Sequence, residues 1–360
     1  MTTPVYPPAP VSPPHTLVDG GHYRCGTYDG PIPVINPLDA GPVDRAPKLA
    51  RANRNLRLKE WEAFQLGDDD WFVLGAVYNA KTVGLLQVLA VHKESATITR
   101  WETKLPSPAL HVARGLNTSS SRGRVGDFRI EIGNRLGDGV VAIDAHHPGH
   151  AAGRRRTERL PSMDLQVTGY CGPDDAAHLV IVHPFGEDRA LYSHKVMMPA
   201  DGSLIIGGDR VGLGDGRGYL IVDDHHGDYP RPMKYDWVTG IRRTADGVVE
   251  GFNLTDNQVL DPAENNENAI WIGNALHRLP PVTVQRPHGP WGPWYIRDTA
   301  GAVDVTFTPT VKSTMHVGPR KTLAEYYAPY GWYEGTIHAD GASLTVDGMF
   351  GVGEQKRITV

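Results

Sequence analysis

The sequence predicts an all-β protein of antiparallel barrels or sandwiches, and three observations carry that prediction. Forty-one glycines and 29 prolines interrupt the 360 residues too often for long helices. Between these breaks lie short runs rich in β-branched and aromatic residues, several of which alternate with a period of two. Phe128, Ile130 and Ile132 face one way while Arg129 and Glu131 face the other, and Val303-Asp304-Val305-Thr306-Phe307 repeats the pattern. Ala-Asp-Gly recurs at 200–202, 245–247 and 339–341, each a hairpin connector whose glycine accepts the positive φ of a tight turn.

Taken in order, strands are expected at 71–78, 83–92, 96–101, 128–132, 140–143, 165–169 and 178–183 in the first half. The second half adds 191–197, 203–206, 219–222, 248–254, 269–271, 282–285, 303–307 and 343–346. The best helical candidate, 321–327, is short. Roughly fifteen strands exceed what one small barrel holds, so two β domains are expected. A boundary at Pro-Phe-Gly-Glu-Asp-Arg, 184–189, gives a disordered proline-rich tail at 1–16 and domains at 17–188 and 189–360.

With 40% hydrophobic and 21% charged residues, the chain can bury a core of ordinary kind. A net charge of −5 gives no reason to expect nucleic acid or an anionic membrane as partner. Arg154-Arg155-Arg156 reads as a solvated basic loop. Cys25 and Cys171 form neither a metal-type spacing nor a disulfide framework, which points to a reducing compartment, the cytoplasm. No apolar run approaches the length of a membrane span, and the first fifteen residues lack the basic start and apolar stretch of a secretory signal. The oligomeric state is left open.

Chemistry concentrates at 218–230, Gly-Tyr-Leu-Ile-Val-Asp-Asp-His-His-Gly-Asp-Tyr-Pro, where an apolar strand ends in ionisable side chains. Imidazoles beside carboxylates can move protons near neutral pH or hold a metal. Asp224, His225, His226 and Asp228 are the catalytic candidates. On a continuing strand Asp224 and His226 share one face and His225 takes the other, which favours Asp224 with His226 as the proton-transfer pair. The competing reading is polar capping of a strand end. A related cassette at 140–150, Val-Val-Ala-Ile-Asp-Ala-His-His-Pro-Gly-His, suggests two similar halves facing one site, with His146 as a substrate contact. His146, His147, His150, His225 and His226 could supply metal ligands, but no His-Glu-x-x-His regularity supports an ion and no cofactor is expected. The glycine-rich 207–218 segment lacks the strand-to-helix context of a phosphate loop.

Several segments together resemble domain-of-unknown-function family 2804, a distant relative of carotenoid hydratases and other lipocalin-like (calycin) proteins. They are Leu58-Lys59-Glu60-Trp61-Glu62-Ala63-Phe64, Gly251-Phe252-Asn253-Leu254-Thr255-Asp256, Glu267-Asn268-Ala269-Ile270-Trp271, and Trp294-Tyr295-Ile296 with 303–309. Tyr330-Gly331-Trp332-Tyr333-Glu334-Gly335 and Phe350-Gly351-Val352-Gly353-Glu354 complete the series. Their order and spacing span residues 58 to 354. The resemblance implies two pseudo-symmetric lipocalin-like β-barrel domains side by side. Better-understood relatives hydrate double bonds, cyclise terpenes or catalyse pericyclic reactions without metal or redox cofactor. The chain departs from the family pattern at 223–237, where Asp224-His225-His226-Gly227-Asp228-Tyr229-Pro230-Arg231 leads to Tyr235-Asp236-Trp237.

In such a frame Glu60 and Trp61 enter the barrel, Tyr235 and Trp237 line a cavity, and Asn253 and Glu267 orient a substrate oxygen. The competing readings are a structural ion pair at Lys59-Glu60-Trp61 and turn chemistry around Asn253 and Glu267. The expected function is cofactor-independent acid–base catalysis, as a hydratase, isomerase, cyclase or lyase, on a hydrophobic isoprenoid- or polyketide-like molecule. A calycin-type carrier of apolar ligands and a metal-dependent enzyme are the alternatives.

Overall fold

Alternating side chains sort by burial as the period of two requires: in Phe128–Arg135 the residues Phe128, Ile130, Ile132 and Asn134 are buried while Arg129, Glu131 and Arg135 are exposed. The computed structural model describes residues 4–41, 47–151, 159–172, 175–214, 216–317 and 324–359. Among them the strands join into two large antiparallel sheets, so the all-β expectation holds.

The first sheet runs Thr97–Leu105, Gly84–His92, Trp71–Asn79, Lys59–Gly67, Gly218–Gly227 and Arg189–Ile206. It continues through Met163–Tyr170, Val140–His147, Phe128–Arg135, Ser120–Val125 and Leu110–His111. It curls until its ends meet, since Trp101 and Leu105 from one end share a core cluster with Leu110 from the other. The second sheet runs Ala275–Arg278, Ala269–Ile272, Val249–Asn257, Met233–Arg243, Met349–Ile358, Tyr330–Ala339, Val303–Val311, Trp294–Arg297 and Thr283–Gln285. It wraps its own core of Phe252, Trp294, Phe307 and Tyr333. A third cluster joins the sheets face to face, with Phe72, Tyr219 and Ile221 against Trp271, Tyr330 and Phe350. The Trp271 indole seals it by donating to the Ala177 carbonyl at 2.9 Å.

Several expectations are corrected. The division between the sheets falls between Gly227 and Met233 rather than at 188/189, because Arg189–Ile206 and Gly218–Gly227 pair inside the first sheet. Within the described part of the proline-rich start, Val11 exchanges backbone hydrogen bonds with Thr27 and Asp29, and the His15 carbonyl accepts from Val34. The expected helix at 321–327 overlaps a strand, Ala324–Tyr327, with its first residues outside the described ones. A helix instead forms at Pro47–Arg57, tied down where Arg54 donates to the Leu38 carbonyl at 2.8 Å. Two of the Ala-Asp-Gly triplets are turns with left-handed glycines, Gly247 at φ +86° and Gly341 at φ +74°. The third lies within the Arg189–Ile206 strand, where a side chain on Gly202 would strike the Gln166 carbonyl. The arginine run 154–156 lies outside the described residues.

One strand positions the site. Gly218–Gly227 is buried at all ten positions. It sits between Lys59–Gly67 and Arg189–Ile206, with one face toward the barrel interior and the other toward the second sheet. Such double cover explains why its first half is continuously apolar. Next to it, Gly75 pairs with Phe64, whose ring fills the place of a side chain: a Cβ on Gly75 would lie 2.1 Å from it. Gly75→Ala is therefore expected to destabilise the fold by about 2–3 kcal/mol through overpacking. Gly133→Ala, whose Cβ would meet nothing closer than 3.8 Å, is expected to change stability little. Thermal and urea denaturation of the two variants check the contrast.

Candidate active site

The polar end of Gly218–Gly227 carries two separate clusters, because alternation sends Asp223 and His225 one way and Asp224 and His226 the other. Register places Lys195 opposite Asp223, and both Ser193 and Trp61 opposite His225. On this face the His225 Nε2 lies 2.6 Å from Asp223 Oδ1, 2.9 Å from Ser193 Oγ and 3.0 Å from Lys195 Nζ. Glu267 reaches in from beside the Ala269–Ile272 strand of the second sheet and takes the Lys195 ammonium at 2.6 Å. The Thr255 hydroxyl donates to its other oxygen at 2.9 Å.

Burial opposes ionisation of Glu267, but the Lys195 ammonium and His183 hold its carboxyl well below the usual range. Burial likewise opposes the charge on Asp223, and His225 and Lys195 overcome it, lowering its pKa. For Lys195, burial disfavours the ammonium, yet Asp223 and Glu267 outweigh that and raise its pKa. The result is a cation fixed between two anions with an imidazole at its side. A proton on Nε2 finds the Asp223 carboxylate, and a bare Nε2 finds the Lys195 ammonium, so both protonation states of His225 have a partner. Nδ1 of His225 has no partner among the described residues.

This cluster opens onto a cavity of about 160 Å³ between the two sheets. An apolar cavity of about 150 Å³ holds a benzene-sized guest. Its walls are rings: Trp61 packs at a tilt of 32° against His225 with centroids 4.6 Å apart and lies parallel to Tyr229 at 5.9 Å. From the second sheet, Tyr235, Trp237 and Tyr326 complete the enclosure.

Asp224 and His226 face the barrel interior. His226 Nε2 lies 3.1 Å from Asp224 and its Nδ1 3.3 Å from Glu60, which is also paired with Lys81. Burial would lower the His226 pKa, but Asp224 and Glu60 raise it to about 10. Burial would raise that of Glu60, and His226 with Lys81 bring it down to about 2. Glu62, beside Asp224 and bonded by the Ser121 hydroxyl, is pushed up to about 8 by burial and by the Asp224 charge. None of Glu60, Glu62, Asp224 or His226 lines the cavity.

A family model described as "Domain of unknown function (DUF2804)" matches residues 14–359. The chain belongs to the DUF2804 family. No curated protein matches it in sequence. Among solved structures it is similar to a protein assigned as AttH from Nitrosomonas europaea, at 9% identity and a TM-score of 0.46, over 84% of this chain and 93% of that one. It is also similar to kievitone hydratase from Nectria haematococca, at 11% identity and a TM-score of 0.47, over 83% and 88% of the respective chains. CghA gives 11% identity and a TM-score of 0.36 over 84% and 88%.

In this DUF2804 protein the residues singled out in the sequence divide by location. His225, Trp61, Tyr235, Trp237 and Glu267 line the cavity. Asn253 stands behind it, accepting from the Trp237 indole at 2.7 Å and donating to the Glu267 carbonyl at 2.8 Å, so it fixes two wall residues at once. Asp228 is instead gripped by Arg57, with contacts of 3.2, 3.1 and 2.6 Å, and is fully buried. His146 bonds Asp164 at 2.6 Å far from the site. The two His-His cassettes do not meet: His147 is level with Ile206 through Met163, whereas His226 faces Tyr192 at the opposite end of the Arg189–Ile206 strand. Among the described residues no group of three or more His, Cys, Asp or Glu side chains could hold a metal ion, and no helix is long and apolar enough to cross a membrane. Sequence reasoning passed over Ser193, Lys195, Asp223, Glu354 and Lys356. The available signal was polar residues at alternate positions of otherwise apolar strands, as in Ser193-His194-Lys195.

Burial of Glu62 in the barrel has a measurable consequence. Since the folded pKa of Glu62 lies above its ordinary 4.5, folding takes up a proton between pH 4.5 and about 8. The stability this gives is full below 4.5 and is lost as the pH climbs to about 8. Glu62→Gln is expected to match the wild type near pH 4.5 and exceed it at pH 9, by on the order of 5 kcal/mol. Urea midpoints at the two pH values decide: an equal difference at both means that Glu62 is ionised in the fold.

Proposed function

We propose that this DUF2804 protein is an acid–base enzyme acting on a small hydrophobic, ring-bearing molecule in the cavity between its two sheets. The observation that carries the reading is the Asp223–His225–Lys195–Glu267 cluster set into a wall of aromatic rings. A carboxylate-oriented imidazole with partners for both protonation states is suited to moving a proton at carbon. His225 takes a proton from a carbon next to a carbonyl, the C–H electrons pass to the carbonyl oxygen, and Asp223 stabilises the imidazolium. Return of the proton at a second carbon completes an isomerisation. Its delivery to a departing β-hydroxyl, released as water, completes a dehydration, and the reverse is a hydration. Lys195, held by Glu267, Ser193 and His225, fixes the imidazole and supplies a positive field. Every group these steps need is a side chain of this chain. Expulsion of water by the surrounding rings strengthens each electrostatic contact.

The test is deuterium incorporation from heavy water into enones and β-hydroxy ketones of one or two rings, followed by mass spectrometry. His225→Ala and Asp223→Asn are expected to slow exchange by about 10²-fold or more, while Asp224→Asn, on the barrel side, stays within a few-fold of wild type. If ligands bind the wild type, seen as quenching of tryptophan fluorescence, yet none exchanges, the protein is a carrier and the enzyme reading falls. If Asp224→Asn abolishes exchange in a folded protein while His225→Ala does not, the proton-transfer pair lies inside the barrel instead.

A further inference from the structure

The cavity has a second polar pole, supplied by the second sheet and not used in the steps above. Lys356 projects from the Met349–Ile358 strand into the cavity. Its ammonium lies 4.8 Å from the Tyr326 ring centroid, 5.1 Å from that of Tyr235 and 5.6 Å from that of Trp61. It donates one hydrogen bond, to the Tyr235 hydroxyl at 2.8 Å. Among the described residues no carboxylate lies within ion-pair distance of it. The nearest acid on its own strand, Glu354, is buried and occupied by two phenols, accepting from Tyr235 at 3.0 Å and from Tyr326.

Three ring faces surround this group and favour its ammonium form, and among the described residues it retains donors that no protein group takes. Lys234 also lines the cavity, and Lys195, the buried cation of the first sheet, is by contrast saturated by Glu267, Ser193 and His225. The two poles are close. Lys356 Nζ and the His225 ring flank the same Trp61 indole at 5.6 and 4.6 Å, so they stand no more than 10.2 Å apart, the sum of those legs. A guest of one ring with a short chain spans that distance.

We infer that the cavity takes ring-bearing acids, with the anionic oxygen, carboxylate or phenolate, bound by the Lys356 ammonium while the ring lies against Trp61. This rests on the cavity being the functional site, as proposed above, and assigns the charge of the molecule it accepts. Orientation follows as well: the anion is anchored by the second sheet and the reacting carbon is presented to His225 of the first. Neutral ligands lose a charge-assisted hydrogen bond, and cationic ones meet an ammonium at close range.

The experiment uses the full chain with trans-cinnamate, trans-cinnamamide and cinnamyl alcohol, which share a ring and chain and differ in charge. Affinities are read by calorimetry and by tryptophan quenching at pH 7. Cinnamate is expected to bind about tenfold or more tightly than either neutral isostere. Lys356→Met is expected to abolish that preference while leaving the alcohol within about twofold, and Lys356→Arg to restore most of it. Burial lowers the Lys356 pKa, so the preference is also expected to fade toward alkaline pH in the wild type. Equal binding of the three ligands by the wild type overturns the inference. So does a Lys356→Met protein that is folded by circular dichroism and still prefers cinnamate. If the variant does not fold, the wild-type comparison and its pH dependence decide alone. Charge preference without any deuterium exchange leaves this inference standing and removes the enzyme reading. Exchange of neutral substrates without charge preference does the reverse.

Discussion

The structure turns on one buried ion pair, Lys195 with Glu267, because it is the polar contact that locks the two sheets together at the cavity. Both side chains are almost wholly removed from water, at 1% and 5% exposure. Desolvating two such ions costs several kcal/mol each, and attraction repays this only where the remaining donors and lone pairs are also met. Here Ser193, Thr255, Asp223 and His225 meet them. The requirement explains why polar residues cluster at this level of the sheets and nowhere else along the Gly218–Gly227 strand. A lone charge here would be intolerable, whereas a closed set of five or six is not. It also explains the role of Asn253, which touches no guest but holds the Glu267 backbone in place.

The fold was largely legible in the sequence because period-two alternation and left-handed glycines are local signals. Alternation at Phe128–Arg135 and the turns at Gly247 and Gly341 needed nothing beyond their own neighbours. What misled was glycine used for space rather than for dihedral freedom. Gly202 reads as a turn in Ala-Asp-Gly, yet it is a strand residue under a neighbouring carbonyl. That the sheets divide between Gly227 and Met233, and not at the expected domain boundary of 188/189, was hidden for a related reason. Gly218–Gly227 returns to pair with Lys59–Gly67, about 150 residues earlier, and no local pattern announces so distant a partner.

The site was half legible. Ionisable residues at 223–228 mark a place where an apolar strand becomes polar, and that place is indeed buried and charged. The face could not be assigned, because choosing between Asp224 with His226 and Asp223 with His225 requires knowing what covers each side. Both sides of this strand are covered, one by the barrel interior and one by the second sheet, so both pairs are buried and both are partnered. Of the two pairs, Asp223 and His225 line the inter-sheet cavity and Asp224 and His226 do not. Lys195, Glu354 and Lys356 gave weaker signals, since single charges in strands are ordinary on exposed faces and become informative only when the face proves to be interior.

Division of labour between the sheets follows from where each polar group originates. The first sheet contributes the imidazole, its carboxylate and the buried ammonium, all on adjacent paired strands and therefore fixed by backbone register. The second contributes Tyr235, Tyr326, Glu354 and Lys356, again from neighbouring strands. Neither sheet alone encloses the cavity, since its walls come from both. In the proposed reading, the groups that move protons thus belong to one sheet and Lys356, which selects the guest's charge, to the other, with Glu267 crossing the seam to join them. In such an arrangement the guest-selecting wall can change its side chains without disturbing the register that sets His225 against Asp223. Members of this family that keep Lys195, Asp223, His225 and Glu267 but vary Tyr235, Tyr326 and Lys356 would share a reaction type and differ in what they accept.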